Sequence, residues 1–343
     1  MKLGGSNSPR HYTVRSRFAR SGLTCTEAVA EHVHRLAAPY LALDPGPPGP
    51  GAWQVIAGTA RPPDTIAASV MAEGEVSVDY AVDHAKKICF HVAPSSDAWV
   101  TQSVLRATRA MHRSAASRQG VMFLHAGLVQ LNGMGVALVG GSRAGKTSFI
   151  MASVLEGSGV MVCNDDVSVT TFPGREYVAG VGWPRSISVR LDTLDLLFGS
   201  SRAATIRSSL SHPANRTLMS LRESGVEPHG TVLLYPWEYA ELLATKIEQS
   251  TRIDAIVHLS LADERSEVDL TAISAMAGKS LLEKRVLKLP NKHLNIFGHE
   301  PDPGSLDRTQ TALATLPSFY FRYDFRDVHR EVGRLADFLS ASI

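Results

Sequence analysis

The sequence predicts an α/β protein in two parts, a small α+β unit over residues 1–118 and a larger unit over residues 119–343 with a mixed sheet and flanking helices. In the larger unit, the glycine-rich segment GGSRAGKT stands between a strand pattern and a helix pattern, as is typical of α/β folds. Asn132-Gly133 joins two apolar runs just before it, which indicates a hairpin. The tract DPGPPGPG (44–51) can be neither a helix interior nor a central strand, so it forms an exposed loop or linker in the smaller unit.

The bulk composition is that of a globular protein. The chain has 343 residues, of which 44% are hydrophobic and 20% charged. A net charge of +2, from 35 basic and 33 acidic residues, gives no electrostatic reason to expect a nucleic-acid or membrane partner. The sequence contains no apolar run of the roughly 18 residues that a membrane helix needs. Its three dispersed cysteines predict neither a zinc site nor a disulfide, so we expect a reduced, cytoplasmic setting.

The smaller unit begins with a polar, basic segment, residues 1–22, that we expect to be loosely ordered. A helix is predicted to start near Thr24, with Glu27 as its capping-box partner. Strand patterns follow at 53–59, 75–82 and 87–93, the last two close enough to form a hairpin. The spacing of apolar residues then predicts a helix over 97–118, with Asp97 as its N-cap and Gly120 as its stop.

The larger unit alternates strand and helix patterns. VMFLHAGLVQL (121–131) and MGVALVG (134–140) are predicted strands, and KTSFIMASVLE (146–156) is a predicted helix. VMVCNDDVSV (160–169) is predicted to be a buried strand that contains two aspartates. Further strand material is predicted in 175–191, a strand-turn-helix in 231–243, a core strand in 253–262 and a helix in 333–342.

The segment Gly140–Thr147 matches the pattern GxxxxGK[ST] without substitution. Its glycines allow successive backbone N–H groups to point at phosphate oxygens, and the following helix offers its positive end to the same anion. Lys146 is suited to the β and γ phosphates and the Thr147 hydroxyl to Mg²⁺, so the segment predicts binding of ATP with Mg²⁺. The alternative is a chance match in a glycine-containing turn. The predicted nucleotide-binding residues are Gly140, Gly141, Ser142, Arg143, Ala144, Gly145, Lys146, Thr147 and Ser148.

Two further features accompany this loop. Asp165 and Asp166 lie in an otherwise buried strand, where carboxylates are costly unless a cation or a donor compensates them. A nucleotide-bound Mg²⁺ would be such a cation, and a strand-terminal turn is the structural alternative. His125 lies one hairpin upstream of the loop, so pairing of the two strands would carry it towards the phosphates. A histidine in a strand is otherwise more often a core or surface residue.

The order of LHA, strand, Asn-Gly, strand, GGSRAGKTS, helix and VCNDD resembles the catalytic domain of the HPr kinase/phosphorylase family. It is still more similar to related kinases of peptide natural-product pathways, such as those that act on lasso peptides. The resemblance is specific over residues 121–170, and GWPRSISVR (182–190) resembles a later segment of the related kinases. It implies an HPr-kinase-like P-loop domain preceded by the small α+β N-terminal domain.

The resemblance also implies roles for particular residues. His125 matches the active-site histidine of the family, and Lys146 and Thr147 match its ATP-binding and Mg²⁺-binding positions. Asp166 matches the aspartate that accepts the proton of the acceptor hydroxyl and belongs to the metal site, with Asp165 as its partner. Arg185 is the candidate contact for phosphate or substrate. The sequence has no clear ExRG segment, which would supply a second acidic metal ligand.

The implied reaction is transfer of the γ-phosphoryl group of ATP to a Ser or Thr hydroxyl of a peptide or protein, which residues 1–118 would help to recognise by strand addition. A small-molecule kinase acting on a sugar or amino acid would use the same machinery. A regulatory ATP-binding module without phosphoryl transfer is the alternative from another class, and unlike a kinase it would tolerate Asp166→Asn. By analogy with the hexameric HPr kinases, we expect a homo-oligomer.

Overall fold

The computed structural model describes residues 8–59, 62–63, 65–70, 77–92, 97–171, 177–216, 230–262, 267–287, 291, 294–298 and 303–343. Parts of the predicted segments, including residues 1–7 and 75–76, lie outside this set. Within it, no helix combines the length and the apolar character needed to cross a bilayer. All three cysteines are described, and each is buried and free.

The N-terminal region forms one sheet with the strand order β3-β1-β2-β4-β7-β6-β5 among its described residues. Its strands are β1 Arg10–Arg15, β2 Arg20–Cys25, β3 Ala42–Pro45, β4 Gln54–Thr59, β5 Ile66–Val70, β6 Val78–Asp83 and β7 Ile88–Val92. Its helices are α1 Glu27–Ala37 and α2 Asp97–Ser117. The predicted hairpin is confirmed, since β6 and β7 pair antiparallel, and so is the long helix that precedes Gly120.

Two expectations for this region are wrong. The segment 1–22 is not loose over its described part, because β1 and β2 pair antiparallel and bury Tyr12 and Val14 against the core. The first helix starts later than predicted, since Thr24 belongs to β2 and the N-cap is Thr26, whose hydroxyl accepts the Val29 N–H. Buried and exposed side chains alternate in β1 over only a few residues, and the arginines of this segment make that pattern hard to recognise in the sequence. The predicted N-cap role of the Asp97 side chain lies outside the described set.

The second region builds three further sheets. Their strands are β8 Met122–Leu124, β9 Ala126–Leu131, β10 Met134–Val139, β11 Gly159–Cys163, β12 Val167–Thr171, β13 Val178–Val181, β14 Ile187–Arg190, β15 Thr231–Leu234, β16 Ser250–Arg252, β17 Ala255–Leu261, β18 Asp269–Ala272 and β19 Ser318–Tyr323. Across the described residues the strand orders are β11-β9-β10-β17-β19-β18, β16-β13-β12-β8 and β14-β15. The first of these, the six-stranded sheet, is mixed as predicted, because β10 pairs antiparallel with β9 and parallel with β17.

The helices of this region are α3 Lys146–Leu155, α4 Leu191–Phe198, α5 Ser200–Ser209, α6 Pro236–Leu242, α7 Ala275–Glu283, α8 Pro303–Ala314 and α9 Val328–Ser342. The predicted hairpin between β9 and β10 is confirmed, with positive φ at both Asn132 and Gly133. Helix α3 follows β10 as predicted and is buried on nearly all sides, because it packs against β9, β11 and α9. This packing fixes the start of α3 close to the end of β10.

Two segments predicted as single strands are each divided between two sheets. The run 121–131 ends one strand at Leu124 and begins the next at Ala126, so His125 lies in a bend and not in a strand. The run 160–169 likewise breaks over 164–166, which puts Asp165 and Asp166 in a bend. Both breaks are hard to recognise in the sequence because the strands on either side are buried and apolar. The polar residues of the second bend agree with the strand-terminal turn that was the alternative there.

The hydrophobic core of the N-terminal region extends beyond residue 118. Val181, Trp183 and Tyr235 of the second region pack in the same cluster as the side chains of β1, α1 and α2. The ring of Trp183 stacks on Phe18 with ring centroids 6.0 Å apart. Helix α2 is therefore held against the second region, while the division at residue 118 stays a prediction.

Candidate active site

The glycine loop, residues 140–145, joins β10 to α3 and is shaped by close neighbours. Gly145 has φ +81°, and a Cβ at this position would collide with the Tyr323 hydroxyl. A Cβ on Gly140 would lie 2.8 Å from the Leu259 carbonyl oxygen. Arg143, at φ 64°, also adopts the left-handed conformation. The backbone therefore curls in a way that requires glycine at both ends of the loop.

Helix α3 presents its N-terminus directly behind this loop. The Phe149 N–H bonds the Gly145 carbonyl at 2.9 Å, so the preceding amides, from Lys146 to Ser148, have no acceptor within the helix. Such amides and the helix dipole favour an anion. Thr147 is half-buried, whereas Ser148 is buried and its hydroxyl lies 2.8 Å from Thr193 Oγ1. Ser148 can therefore offer its amide to a phosphate, but its hydroxyl is engaged elsewhere.

Lys146 lies against the glycine loop. Its Nζ donates to the carbonyl oxygens of Gly140 and Gly141, both at 3.1 Å, and lies 3.5 Å from His125 Nε2. Burial lowers the pKa of Lys146, and the negative charge of Asp165 opposes this effect. The ammonium group is thus placed between the loop and the bend that contains His125.

The two bends bring His125 and Asp165 together. Their Nδ1 and Oδ1 atoms lie 3.2 Å apart, and the His125 backbone N–H donates to the Arg285 carbonyl at 2.9 Å. Burial lowers the pKa of His125, and although Asp165 opposes this, the positive charge of Lys146 reinforces it. A neutral imidazole that donates from Nδ1 to Asp165 keeps Nε2 as an acceptor facing Lys146.

The neighbouring carboxylate, Asp166, faces a different set of groups. Its Oδ2 lies 2.6 Å from Nη1 of Arg113, a fully buried residue of α2 that also lies over the Phe123 ring. Burial would raise the pKa of Asp166, but the charges of Arg113 and Arg185 outweigh it, so the pKa lies below its ordinary value. Arg185 Nη1 lies 3.3 Å from Asp165 and 3.8 Å from Asp166. The structure therefore gathers His125, Lys146, Asp165, Asp166 and Arg185 in one place.

Sequence reasoning missed several basic residues here. Arg106, Arg109 and Arg113 are spaced three and four apart on α2, a spacing that puts them on one helix face and could have been read from the sequence. Arg285 could not, because it is 160 residues from His125 and reaches the site through pairing of its segment with β8. Its Nη2 lies 3.6 Å from the position that a Cβ on Gly141 would occupy.

Two adjoining cavities flank these residues. The larger, about 620 Å³, is lined by His125, both aspartates, Arg185 and the arginines of α2. The smaller, about 460 Å³, is lined by residues 140–144, His258 and Tyr320. Lys284 and Arg285 line both. These two residues, which directly follow α7, thus lie between the glycine loop and the larger cavity, which we call the acid-pair cavity.

The residues present are compatible with a nucleotide-bound Mg²⁺ but not with a metal held by protein groups alone. The described part of the chain contains no cluster of three or more His, Cys, Asp or Glu that could hold a metal ion. Mg²⁺ commonly binds through one or two carboxylates together with substrate phosphates and water. Oδ1 of Asp166 is buried without a hydrogen-bond partner among the described groups, so one carboxylate oxygen is available. The Thr147 hydroxyl is the second candidate ligand.

Comparisons with known proteins give little further guidance. No protein-family model matches the chain, and no curated protein matches it. Among solved structures it is similar to the Hpr(Ser) kinase/phosphatase from Coxiella burnetii, with 10% identity and a TM-score of 0.32 over 64% of this chain and 97% of that one. At that TM-score the likeness supports no conclusion about this chain, and the function proposed below rests on the site.

Proposed function

We propose that this protein is an ATP-dependent kinase that transfers the γ-phosphoryl group to a hydroxyl of an acceptor bound in the acid-pair cavity. The proposal is carried by one continuous line of contacts. Lys146 joins the glycine loop to His125, and His125 joins Asp165, which faces the cavity. A phosphate on the loop and a hydroxyl in the cavity would therefore meet at this line.

The phosphate side of the reaction is assigned to the loop, the start of α3 and Lys146. Their amides and the ammonium group bind the β and γ phosphates and stabilise the charge that develops on the leaving oxygen. Thr147 and Asp166 would hold a nucleotide-bound Mg²⁺, which would supply further charge neutralisation. Arg285, beside the loop, is positioned to contact the same anion.

The acceptor side is assigned to Asp165, which reverses the roles implied by the resemblance. Asp165 contacts His125 and is 29% exposed, whereas Asp166 is 14% exposed and paired with Arg113. Asp165 would orient the acceptor hydroxyl and take its proton as the hydroxyl oxygen bonds to the γ phosphorus. The bond from that phosphorus to the β–γ bridging oxygen breaks, and ADP leaves. Asp166 would stay ionised and contribute to the Mg²⁺ site.

The acceptor remains a Ser or Thr hydroxyl of a peptide or protein in our proposal. A cavity of about 620 Å³ accommodates one such residue of an entering chain. Cavities between about 300 and 1,000 Å³ also hold free small molecules, so the volume equally supports a metabolite kinase. The strands at the edges of the N-terminal sheet, β3 and β5, are the places where a peptide could add a strand.

The proposal is tested with purified protein, Mg·ATP labelled in the γ-phosphate, and host-cell extract separated into peptide and metabolite fractions. We expect one class of molecule to gain a phosphoryl group, and Lys146→Ala to slow this by about 10²–10³-fold. Lys86→Ala is the matched control, since Lys86 is 74% exposed in the turn between β6 and β7. ATP hydrolysis without any phosphorylated acceptor would contradict the proposal and favour a regulatory module.

A further inference from the structure

The smaller cavity, about 460 Å³ in volume, lies at the carboxyl ends of β10 and β17 and beside β19. These strands run parallel, and their register pairs Val139 with His258 and His258 with Tyr320. In α/β sheets, ligands bind outside the carboxyl ends of such strands. The glycine loop, which follows β10, forms one wall of the cavity. The cavity is therefore placed to take a ligand whose phosphates lie on this loop, and its volume is in the range of small-molecule sites.

A buried histidine whose Nε2 has no hydrogen-bond partner among the described groups lines this cavity. This residue, His258, is only 6% exposed. Burial lowers the pKa of His258 to about 4, and the positive charge of Arg285 acts in the same direction. The ring is therefore neutral near pH 7, with one nitrogen as a donor and the other as an acceptor. Leaving such a group unpaired is costly, so we expect a ligand or a water in the cavity to bond it.

Tyr320 provides an aromatic wall of the same cavity. Its hydroxyl lies 2.8 Å from Ser260 Oγ and accepts a hydrogen bond from Arg322 Nη2 at 3.0 Å, so the orientation of the ring is fixed. The ring is half-buried, as are the side chains of Leu261 and Leu281, which also line the cavity. An aromatic ring held in place beside aliphatic side chains suits a flat group such as a nucleobase, which stacks on aromatic side chains.

The basic residues beside the loop connect this cavity to the acid-pair cavity. Lys284 and Arg285 line both, and Arg285 Nη2 lies 3.6 Å from the position that a Cβ on Gly141 would occupy. A triphosphate that extends from the smaller cavity would pass the glycine loop and these two residues before it reaches the acid-pair cavity. The donor and the acceptor would thus occupy separate cavities and meet at the γ phosphate, since direct transfer requires both to be bound at once.

We propose that the smaller cavity binds the nucleoside part of the donor ATP, with the base against the Tyr320 ring and hydrogen-bonded to His258. This inference rests on the proposed kinase function and assigns a site to the half of the nucleotide that the glycine loop does not hold. Adenine presents an amino group that donates and ring nitrogens that accept, so either neutral form of the His258 ring finds a complementary group. His258 and Tyr320 are thereby residues that determine affinity for the nucleoside and not for the phosphates.

The experiment measures binding of two probes to the full chain by titration calorimetry, Mg·ATP and Mg·tripolyphosphate. Tripolyphosphate is a phosphate chain without a nucleoside, so it reports on the loop alone. His258→Phe keeps a ring of similar size and removes its polar atoms. This variant should raise the Kd for ATP by about 3- to 10-fold, the effect of one lost hydrogen bond, and should change the Kd for tripolyphosphate by less than about twofold.

A second pair of variants tests the stacking contact. Tyr320→Leu should raise the Kd for ATP by about 10-fold or more, because the base loses its aromatic partner. Tyr320→Phe keeps the ring and should weaken ATP binding less than Tyr320→Leu does. Unchanged binding of tripolyphosphate shows that each variant is folded with an intact loop. His32→Phe, the same substitution at an exposed position of α1 outside both cavities, is the matched control for His258→Phe.

The possible failures are distinguishable. If His258→Phe and Tyr320→Leu leave the Kd for ATP unchanged, or weaken ATP and tripolyphosphate equally, the nucleoside is not bound in this cavity and the inference is overturned. The kinase function then still stands, because phosphoryl transfer by the unaltered protein tests it separately. A lack of ATP binding by the unaltered protein overturns the kinase function and this inference with it.

Discussion

Adjacent carboxylates in the same bend have different surroundings, which gives them different expected roles. Asp165 is partly exposed beside His125, while Asp166 is paired with the buried guanidinium of Arg113. Replacing Asp165 should affect phosphoryl transfer, and replacing Asp166 should affect folding as well. Asp166 was expected to be the base because it matches the proton-accepting aspartate of the family that the sequence resembles.

We predict that Asp165→Asn lowers the rate of phosphoryl transfer by about 10²–10⁴-fold, the usual contribution of a positioned general base. ATP binding should be retained, because the loop and Lys146 are unchanged. Single-turnover rates and nucleotide binding measured on the same preparations check this. Asp337→Asn, an exposed change on α9, serves as the control. Near-normal turnover in Asp165→Asn would indicate that Asp166, and not Asp165, is the base.

For the buried pair we predict that Asp166→Asn lowers the free energy of unfolding by about 3–5 kcal/mol, because it leaves the Arg113 charge buried without its carboxylate. Urea unfolding monitored by fluorescence measures the change. Adding Arg113→Gln to Asp166→Asn should recover part of the loss, since the second change removes the uncompensated charge. Equal stability of Asp166→Asn and the unaltered protein would show that the pair contributes nothing to folding.

At the scale of elements, the link between β10 and α3 depends on glycine for two separate reasons. Gly145 has a left-handed φ, and the space around it is filled by Tyr323. Gly157, after α3, has a similar φ of +73° but nothing within 4 Å of its Cβ position. The two positions therefore separate the cost of backbone conformation from the cost of a steric collision.

We predict that Gly157→Ala lowers the free energy of unfolding by about 1–2 kcal/mol, because alanine disfavours the left-handed backbone conformation at this position. Gly145→Ala should cost more and should also abolish nucleotide binding, because the loop must move away from Tyr323. Urea unfolding and ATP binding of both variants test this. If Gly145→Ala binds ATP as tightly as Gly157→Ala does, the curl of the loop is not needed for binding.

The predictability of the elements follows from their patterns. The strands and the helix around the glycine loop could be predicted from the spacing of their apolar residues. Asn132-Gly133 separates the two strand patterns, and the spacing changes from that of a strand to that of a helix at the glycine loop. The bend at His125 was not predicted, and a turn at Asp165 and Asp166 was only the alternative to a continuous strand, because the strands that flank both positions are buried. The candidate residues His125, Asp165 and Asp166 do lie close together, and their roles stay predictions. The contact of Arg113 with Asp166 depends on how α2 packs, which the spacing of the arginines along the helix does not reveal.

At the scale of the whole molecule, buried histidines predict sensitivity to acid. Burial lowers the pKa of His91, His112, His212 and His258 to about 4 each. The unfolded chain, with ordinary values near 6.5, therefore binds more protons than the folded one between about pH 6.5 and 4. Stability is highest above this window and falls as the pH decreases, by up to about 1.4 kcal/mol per pH unit for each histidine.

We predict that His112→Gln makes this decline shallower by up to about 1.4 kcal/mol per pH unit. The variant should also be less stable at pH 7, because the His112 ring bonds Ser16 and Ser21, both at 2.8 Å. Urea unfolding at several pH values between 7 and 5 provides the slopes. His32→Gln, an exposed change on α1, is the control. Identical slopes for His112→Gln and the unaltered protein would refute the role of this histidine.

The two bends lie next to each other, since β8 pairs with β12 and β9 with β11, and each bend joins one strand of the four-stranded sheet to one of the six-stranded sheet. Residues in these bends are outside the strands that establish register in either sheet. Replacing a side chain there leaves the inherited hydrophobic pattern of both sheets intact. A fold of this kind can therefore acquire new chemistry during evolution by exchanging bend residues such as His125 and Asp165, while the register of both sheets is preserved.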